Sequence, residues 1–154
     1  MADHSRRGLR LLILPTAFVA VLLTAGNSSA FDLITEAEAR LPPPQRTIPR
    51  GGITRGPSIV IMAPGSDKDV KAPFAIRVNF EPHGGSKIDV ATVKVTYLKR
   101  PLIDLTPRLK GAISETGIDV ADANAPPGTH DIRIDVTDAE GRTRSALLSF
   151  TVVK

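Results

Sequence analysis

Few side chains in this sequence could serve as a catalytic base. Beyond the first thirty residues the only histidines are His83 and His130, and His83 lies in a turn-like EPHGG run. Nucleophilic catalysis needs a base beside the nucleophile and a third group that orients the base. The chain has no cysteine, no Gly-x-Ser-x-Gly motif and no histidine pair at the helical spacing that suits zinc. We therefore predict no catalytic residue and no enzyme activity.

Acidic side chains in predicted loops are the better candidates for ion binding. Calcium takes about six to eight oxygen ligands, many of them carboxylates supplied by loops. The candidates are Asp67, Asp69, Asp138 and Glu140. Lys68 separates the first two, and acidic residues are also ordinary turn formers. We predict no metal site and no cofactor, and these four residues remain the calcium candidates to be tested.

A stretch without acidic residues runs from Ala39 to Ser66 and carries four arginines. We call them the anion-binding set: Arg40, Arg46, Arg50 and Arg55. Exposed arginines attract polyanions, such as acidic lipid headgroups or envelope polysaccharides. No aromatic residue is interleaved to stack bases, so we do not expect nucleic acid as a partner. The alternative interpretation of the stretch is a solvated spacer that binds nothing.

The first thirty residues have the three parts of a secretory signal peptide. Three arginines precede an apolar run from Leu11 to Leu23, and small residues end the segment. Ser28 and Ala30 suit the small-residue pocket of the peptidase, which predicts cleavage after Ala30. The mature chain is then periplasmic or secreted, and it meets the membrane only during export. The alternative is an uncleaved anchor, because no charge lies between Arg10 and Asp32.

Residues 31–57 are predicted to be a weak helix followed by a linker. The run from Phe31 to Leu41 contains good helix formers, but too few apolar residues recur at helical spacing to bury one face. The run from Pro42 to Pro57 is rich in proline, glycine and arginine, and three consecutive prolines favour an extended chain. The folded domain is therefore predicted to begin at Ser58.

Residues 58–154 have the pattern of an all-β domain. Apolar residues alternate with polar or small ones, and turn residues recur at intervals of about 8 to 12 positions. In one predicted strand Phe74, Ile76, Val78 and Phe80 form the buried face. The last thirty residues predict a hairpin whose turn begins at Asp138. Six or seven strands fit this stretch, which predicts an antiparallel sandwich.

The end of the chain resembles a known type of module. The run PPGTH at 126–130, the alternating Ile and Val that follow, the Asp138-x-x-Gly141 turn and the final strand are similar to the last two strands of bacterial immunoglobulin-like modules. Immunoglobulin domains proper carry a cysteine pair and a core tryptophan, which this chain lacks, so the resemblance is to the fibronectin-like variety. It implies an immunoglobulin-like β-sandwich over 58–154 and a hydrogen bond from His130 into a neighbouring corner.

These observations predict a non-enzymatic, exported module with a structural or macromolecule-binding role in the cell envelope. Without residues 1–30 the net charge is only +2, so the domain itself has no strongly basic face. The expected partner is an envelope protein or a glycan. A loop-based calcium- or glycan-binding module is the alternative, although a single tyrosine disfavours an aromatic sugar platform. A small envelope hydrolase is the third hypothesis.

Overall fold

The computed structural model describes residues 31–44, 56–65 and 68–154. The predicted signal peptide and most of the predicted linker lie outside these residues. The strands are β1 (Phe31–Asp32), β2 (Ser58–Ala63), β3 (Lys68–Lys71), β4 (Phe74–Glu81), β5 (Lys94–Tyr97), β6 (Ile103–Asp104), β7 (Ile113–Ser114), β8 (Gly117–Asn124), β9 (Gly128–Thr137) and β10 (Thr143–Val153). Two single-turn helices, α1 (Glu36–Ala39) and α2 (Thr106–Leu109), and a 3-10 turn at Val90–Thr92 complete the elements. None of the helices in these ranges is long and apolar enough to cross a membrane.

The strands form two sheets that pack face to face. One sheet has the order β1-β8-β4-β2, with β7 also paired to β8, and the other has the order β3-β10-β9-β5-β6. These two facing sheets confirm the predicted immunoglobulin-like sandwich. Seven of the described strands have four or more residues, in agreement with the six or seven strands that the sequence predicted. The sequence did not predict the parallel pairs at two sheet edges, β1 with β8 and β3 with β10.

Period-two alternation builds the core between the sheets. Every second residue of β4, from Phe74 to Phe80, is buried as predicted. The facing strands contribute Val95, Tyr97 and the inward residues of β9 and β10. Only a few aromatic rings take part, so burial of aliphatic surface supplies most of the stabilisation.

Gly117 allows β8 to approach β4 closely. Its φ is +151°, and a Cβ at this position would lie 1.9 Å from the carbonyl oxygen of Val78. No larger residue fits such a contact. On the exposed side of the same strand pair, Arg77 Nε donates to Asp119 Oδ1 at 3.4 Å, so Arg77 faces outward as the alternation predicted.

Residues 31–44 belong to the sandwich in the structure, whereas the sequence placed them in a weak helix and linker. β1 pairs with β8, and the Leu33 amide donates to the carbonyl of Asn124 at 2.9 Å. The side chains of Leu33 and Ile34 lie in the core, and Leu33 is 0% exposed. Two consecutive apolar residues thus anchor the segment through an edge strand, which a search for a helical apolar stripe does not detect. Described residues N-terminal to Ser58 therefore pack as part of the sandwich.

Candidate functional site

Only one arginine of the anion-binding set lies in the described residues. Arg40 caps the C-terminal end of α1, and its Nη2 donates to Glu36 Oε2 at 2.9 Å with both side chains exposed. A neighbouring carboxylate therefore already balances its charge. The other three, Arg46, Arg50 and Arg55, lie outside the described residues, and their role as a binding arm stays a prediction.

The three calcium candidates within the described residues do not converge. Asp67 lies outside the described residues, and Asp69 sits on β3 beside Thr151 near the end of β10. Asp138 and Glu140 precede Thr143 at the start of β10. Eight residues of extended strand separate Thr143 from Thr151, which places these two carboxylates about 26 Å from Asp69. In the part of the chain that the structure describes, no three His, Asp or Glu side chains are grouped to hold a metal ion.

The carboxylate of Asp138 accepts hydrogen bonds from within the turn between β9 and β10. Its Oδ1 accepts the backbone amides of Glu140 and Arg142 at 3.1 and 2.9 Å, and its Oδ2 accepts Arg142 Nε at 2.7 Å. Burial acts to raise the pKa of this carboxyl, but the hydrogen bonds and charge of Arg142 lower it overall. Glu140 also accepts a hydrogen bond from Arg142 Nη2, at 2.6 Å. Both carboxylates thus hold the turn.

His130 lies in the core and bonds through both ring nitrogens. It is 1% exposed, its Nε2 is 2.8 Å from the carbonyl oxygen of Pro126, and its Nδ1 is 2.9 Å from the Tyr97 hydroxyl. Because a carbonyl only accepts, Nε2 carries the proton and Tyr97 donates to Nδ1. Burial lowers the pKa of His130 and raises the pKa of Tyr97 to about 12, so both groups are neutral near pH 7. The hydrogen bond implied by the resemblance is present.

A charged clamp that the sequence analysis missed attaches α1 to α2. The two terminal guanidinium nitrogens of Arg108, Nη2 and Nη1, donate to the Glu38 carboxylate at 2.5 and 2.9 Å, and Nη1 also donates to the Leu33 carbonyl at 2.7 Å. The hydrogen bond from Arg108 is the largest of the causes that lower the pKa of Glu38 to about 2. Thr35 and Glu38 form a capping box. That Thr-x-x-Glu spacing was the available sequence signal for this helix start.

A cleft of about 490 Å³ opens at one end of the sandwich. Its walls are the N-terminal segment, the β3–β4 corner, the β8–β9 loop and the end of β10. The charged and amide side chains on the walls are Asp32, Glu36, Lys71, Asn124 and Lys154. Aliphatic residues and prolines line most of the rest of this cleft, so a ligand here would meet apolar surface as well as charges and hydrogen-bonding groups.

Comparisons with known proteins bear on the fold alone. No protein-family model matches the chain, and no curated protein is similar enough to count as a relative. Among solved structures, the endo-β-1,4-mannanase from Thermotoga petrophila shares 14% identity over 64% of this chain, with a TM-score of 0.45. This chain matches only 20% of that enzyme's length. At this identity and TM-score the match carries no inference about function.

Two other solved structures are matched over most of their own length. CopC from Methylosinus trichosporium OB3b shares 13% identity, with a TM-score of 0.41, over 62% of this chain and 93% of that protein. The fibronectin(III)-like modules of Clostridium thermocellum CbhA share 14% identity, with a TM-score of 0.39, over 62% of this chain and 94% of that one. By its own sheet topology the chain is an immunoglobulin-like β-sandwich.

Proposed function

We propose that the mature chain is an exported, non-enzymatic immunoglobulin-like module that acts in the cell envelope by binding another macromolecule or as a structural element. The observation that supports a non-enzymatic role is how the polar groups of the fold are bonded. His130, Asp138 and the Glu38–Arg108 pair each spend their bonding capacity within the fold. A catalytic base needs a free position toward a substrate. Recognition through the surface is then the activity that this domain supports.

We further propose that the signal peptide is removed after Ala30. A chain that starts at Phe31 keeps β1 and the core residues Leu33 and Ile34. Mass spectrometry of the protein expressed from the full chain tests this point. We expect a mature N-terminus at Phe31 in the periplasmic or secreted fraction, and a chain still beginning at Met1 would contradict cleavage.

The cleft at the end of the sandwich is the surface that we assign to recognition. A photo-reactive amino acid at Lys71, which is exposed and lines the cleft, should form an adduct in intact cells. The matched control is the same substitution at Lys94, an exposed lysine at the start of β5 near the opposite end. Adducts formed from position 71 and not from position 94 would support the proposal. Equal adducts from both positions, or none, would contradict it.

A glycan ligand is the second candidate, because charged and amide side chains line the cleft. The same adduct separates the two ligand classes. A protein partner yields an adduct that a protease degrades, whereas a cell-wall glycan yields one that a glycan hydrolase shortens. The calcium alternative is tested by melting: saturation at 100 times the dissociation constant would add about 2.7 kcal/mol of stability. An unchanged melting temperature in calcium, with magnesium as the control, is expected.

A further inference from the structure

The outer edge of β2 presents backbone groups without a partner among the described residues. Within the ranges that the structure describes, β2 is the last strand of its sheet and pairs only with β4. The amide of Phe80 in β4 donates to the Thr116 carbonyl at 2.9 Å, on the side away from β2. Ile59 is opposite Phe80, so its own N–H and C=O also point away from β4. The same alternation directs the two backbone groups of Ile61 to the free edge.

This edge has few of the features that prevent pairing with another strand. Natural edge strands often carry charged side chains, especially lysine, that oppose association. No charged residue occurs from Gly56 to Gly65. Val60 and Met62, on the face opposite the core, are instead 36% and 59% exposed. Pro57 and Pro64 flank the strand and limit any added pairing to its own short length.

The alternation of β2 is self-complementary. In an antiparallel pair related by a two-fold axis at Val60, Ile59 of each copy is opposite Ile61 of the other. Both are hydrogen-bonding positions, so four bonds between the copies use the four free backbone groups of each copy. On the outer face Val60 lies beside Val60, and Met62 lies beside Ser58 of the second copy. The pairing needs only Ser58 to Met62, so the register shift between Ile61 and Ala63 does not interrupt it.

We propose that this protein self-associates through β2 into a two-fold dimer whose sheet is continuous across the axis. The uncharged strand faces itself without like-charge repulsion, which favours a second copy over a charged peptide as the occupant. A contact this short buries less than the roughly 1,200–2,000 Å² typical of stable complexes. Dimerisation therefore depends on concentration. The inference is independent of export and of the cleft.

Sedimentation velocity over a roughly hundredfold dilution series tests the dimer, on protein purified after expression of the full chain. The native protein should pass from dimer to monomer on dilution. Val60→Lys places two charges face to face at the axis and should remain monomeric throughout. The matched control is Asn79→Lys, which adds the same charge on the same face one strand further in, and which should dimerise like the native protein.

Amide hydrogen exchange supplies a second measurement that needs no variant. The Ile59 and Ile61 amides should exchange more slowly at high protein concentration than at low concentration, because only the dimer bonds them. A native protein that is monomeric across the series would overturn the inference, as would a Val60→Lys variant that dimerises equally. Concentration-independent exchange at both amides in a dimeric protein would place the dimer contact elsewhere and also refute it.

Discussion

Leu33→Ala tests whether the N-terminal segment is part of the folded unit. Leu33 is 0% exposed and contacts the core, although the sequence alone placed it outside the domain. Truncation of a buried leucine to alanine costs about 2–5 kcal/mol, because apolar contacts are lost and a cavity remains. We expect a loss of about 3 kcal/mol. For a domain of this size that loss lowers the melting temperature by about 10–15 °C.

The assay is urea and thermal unfolding followed by circular dichroism, with Leu102→Ala as the matched control. Leu102 is 58% exposed, so the same truncation should change stability by less than about 0.5 kcal/mol. Deletion of residues 31–44 extends the test. Burial of Leu33 and Ile34 alone contributes about 3–6 kcal/mol, so the deleted protein should be marginal or unfolded. Equal stability of Leu33→Ala and Leu102→Ala would refute the packing of this segment.

Three further predictions concern stability. The lowered pKa of Glu38 stabilises the fold above pH 4.5, so Glu38→Gln should lower the free energy of unfolding by about 1–2 kcal/mol at pH 7. This value is discounted because Arg108 is 32% exposed. In urea unfolding, the difference between native protein and variant should vanish as the pH falls from 4.5 toward 2. Burial keeps His130 neutral, so the stability of the native protein should decrease as the pH is lowered from 6.5, with this group contributing at most about 1.4 kcal/mol per pH unit. His130→Gln should remove that part of the pH dependence. Gly117→Ala should lower the free energy of unfolding by more than about 4 kcal/mol in the same assay. Gly111→Ala, at a position with open space around it, should lower it little. Equal losses in the two variants would contradict the close approach of β8 to β4.

The strand pattern of the domain was readable from the sequence because each sheet has one buried face. Alternation with a period of two follows directly from that geometry, so the inward face of β4 and the final hairpin were both predicted correctly. The resemblance of the last thirty residues to bacterial immunoglobulin-like modules implied the same sandwich. These features are local: each depends on residues close together in the chain.

The N-terminal segment depended on contacts that no local pattern encodes. Asn124 accepts the Leu33 amide across 91 residues, and Arg108 binds Glu38 across 70, so neither pairing is visible as a periodicity. The sequence placed Asp138 in the turn, but only the structure shows that Arg142 contacts both oxygens of its carboxylate. Sequence alone determined which strand faces are apolar. Tertiary structure decided which strands pair at the edges of the two sheets. Edge pairing depends on the order of the strands in space and not on their order in the chain.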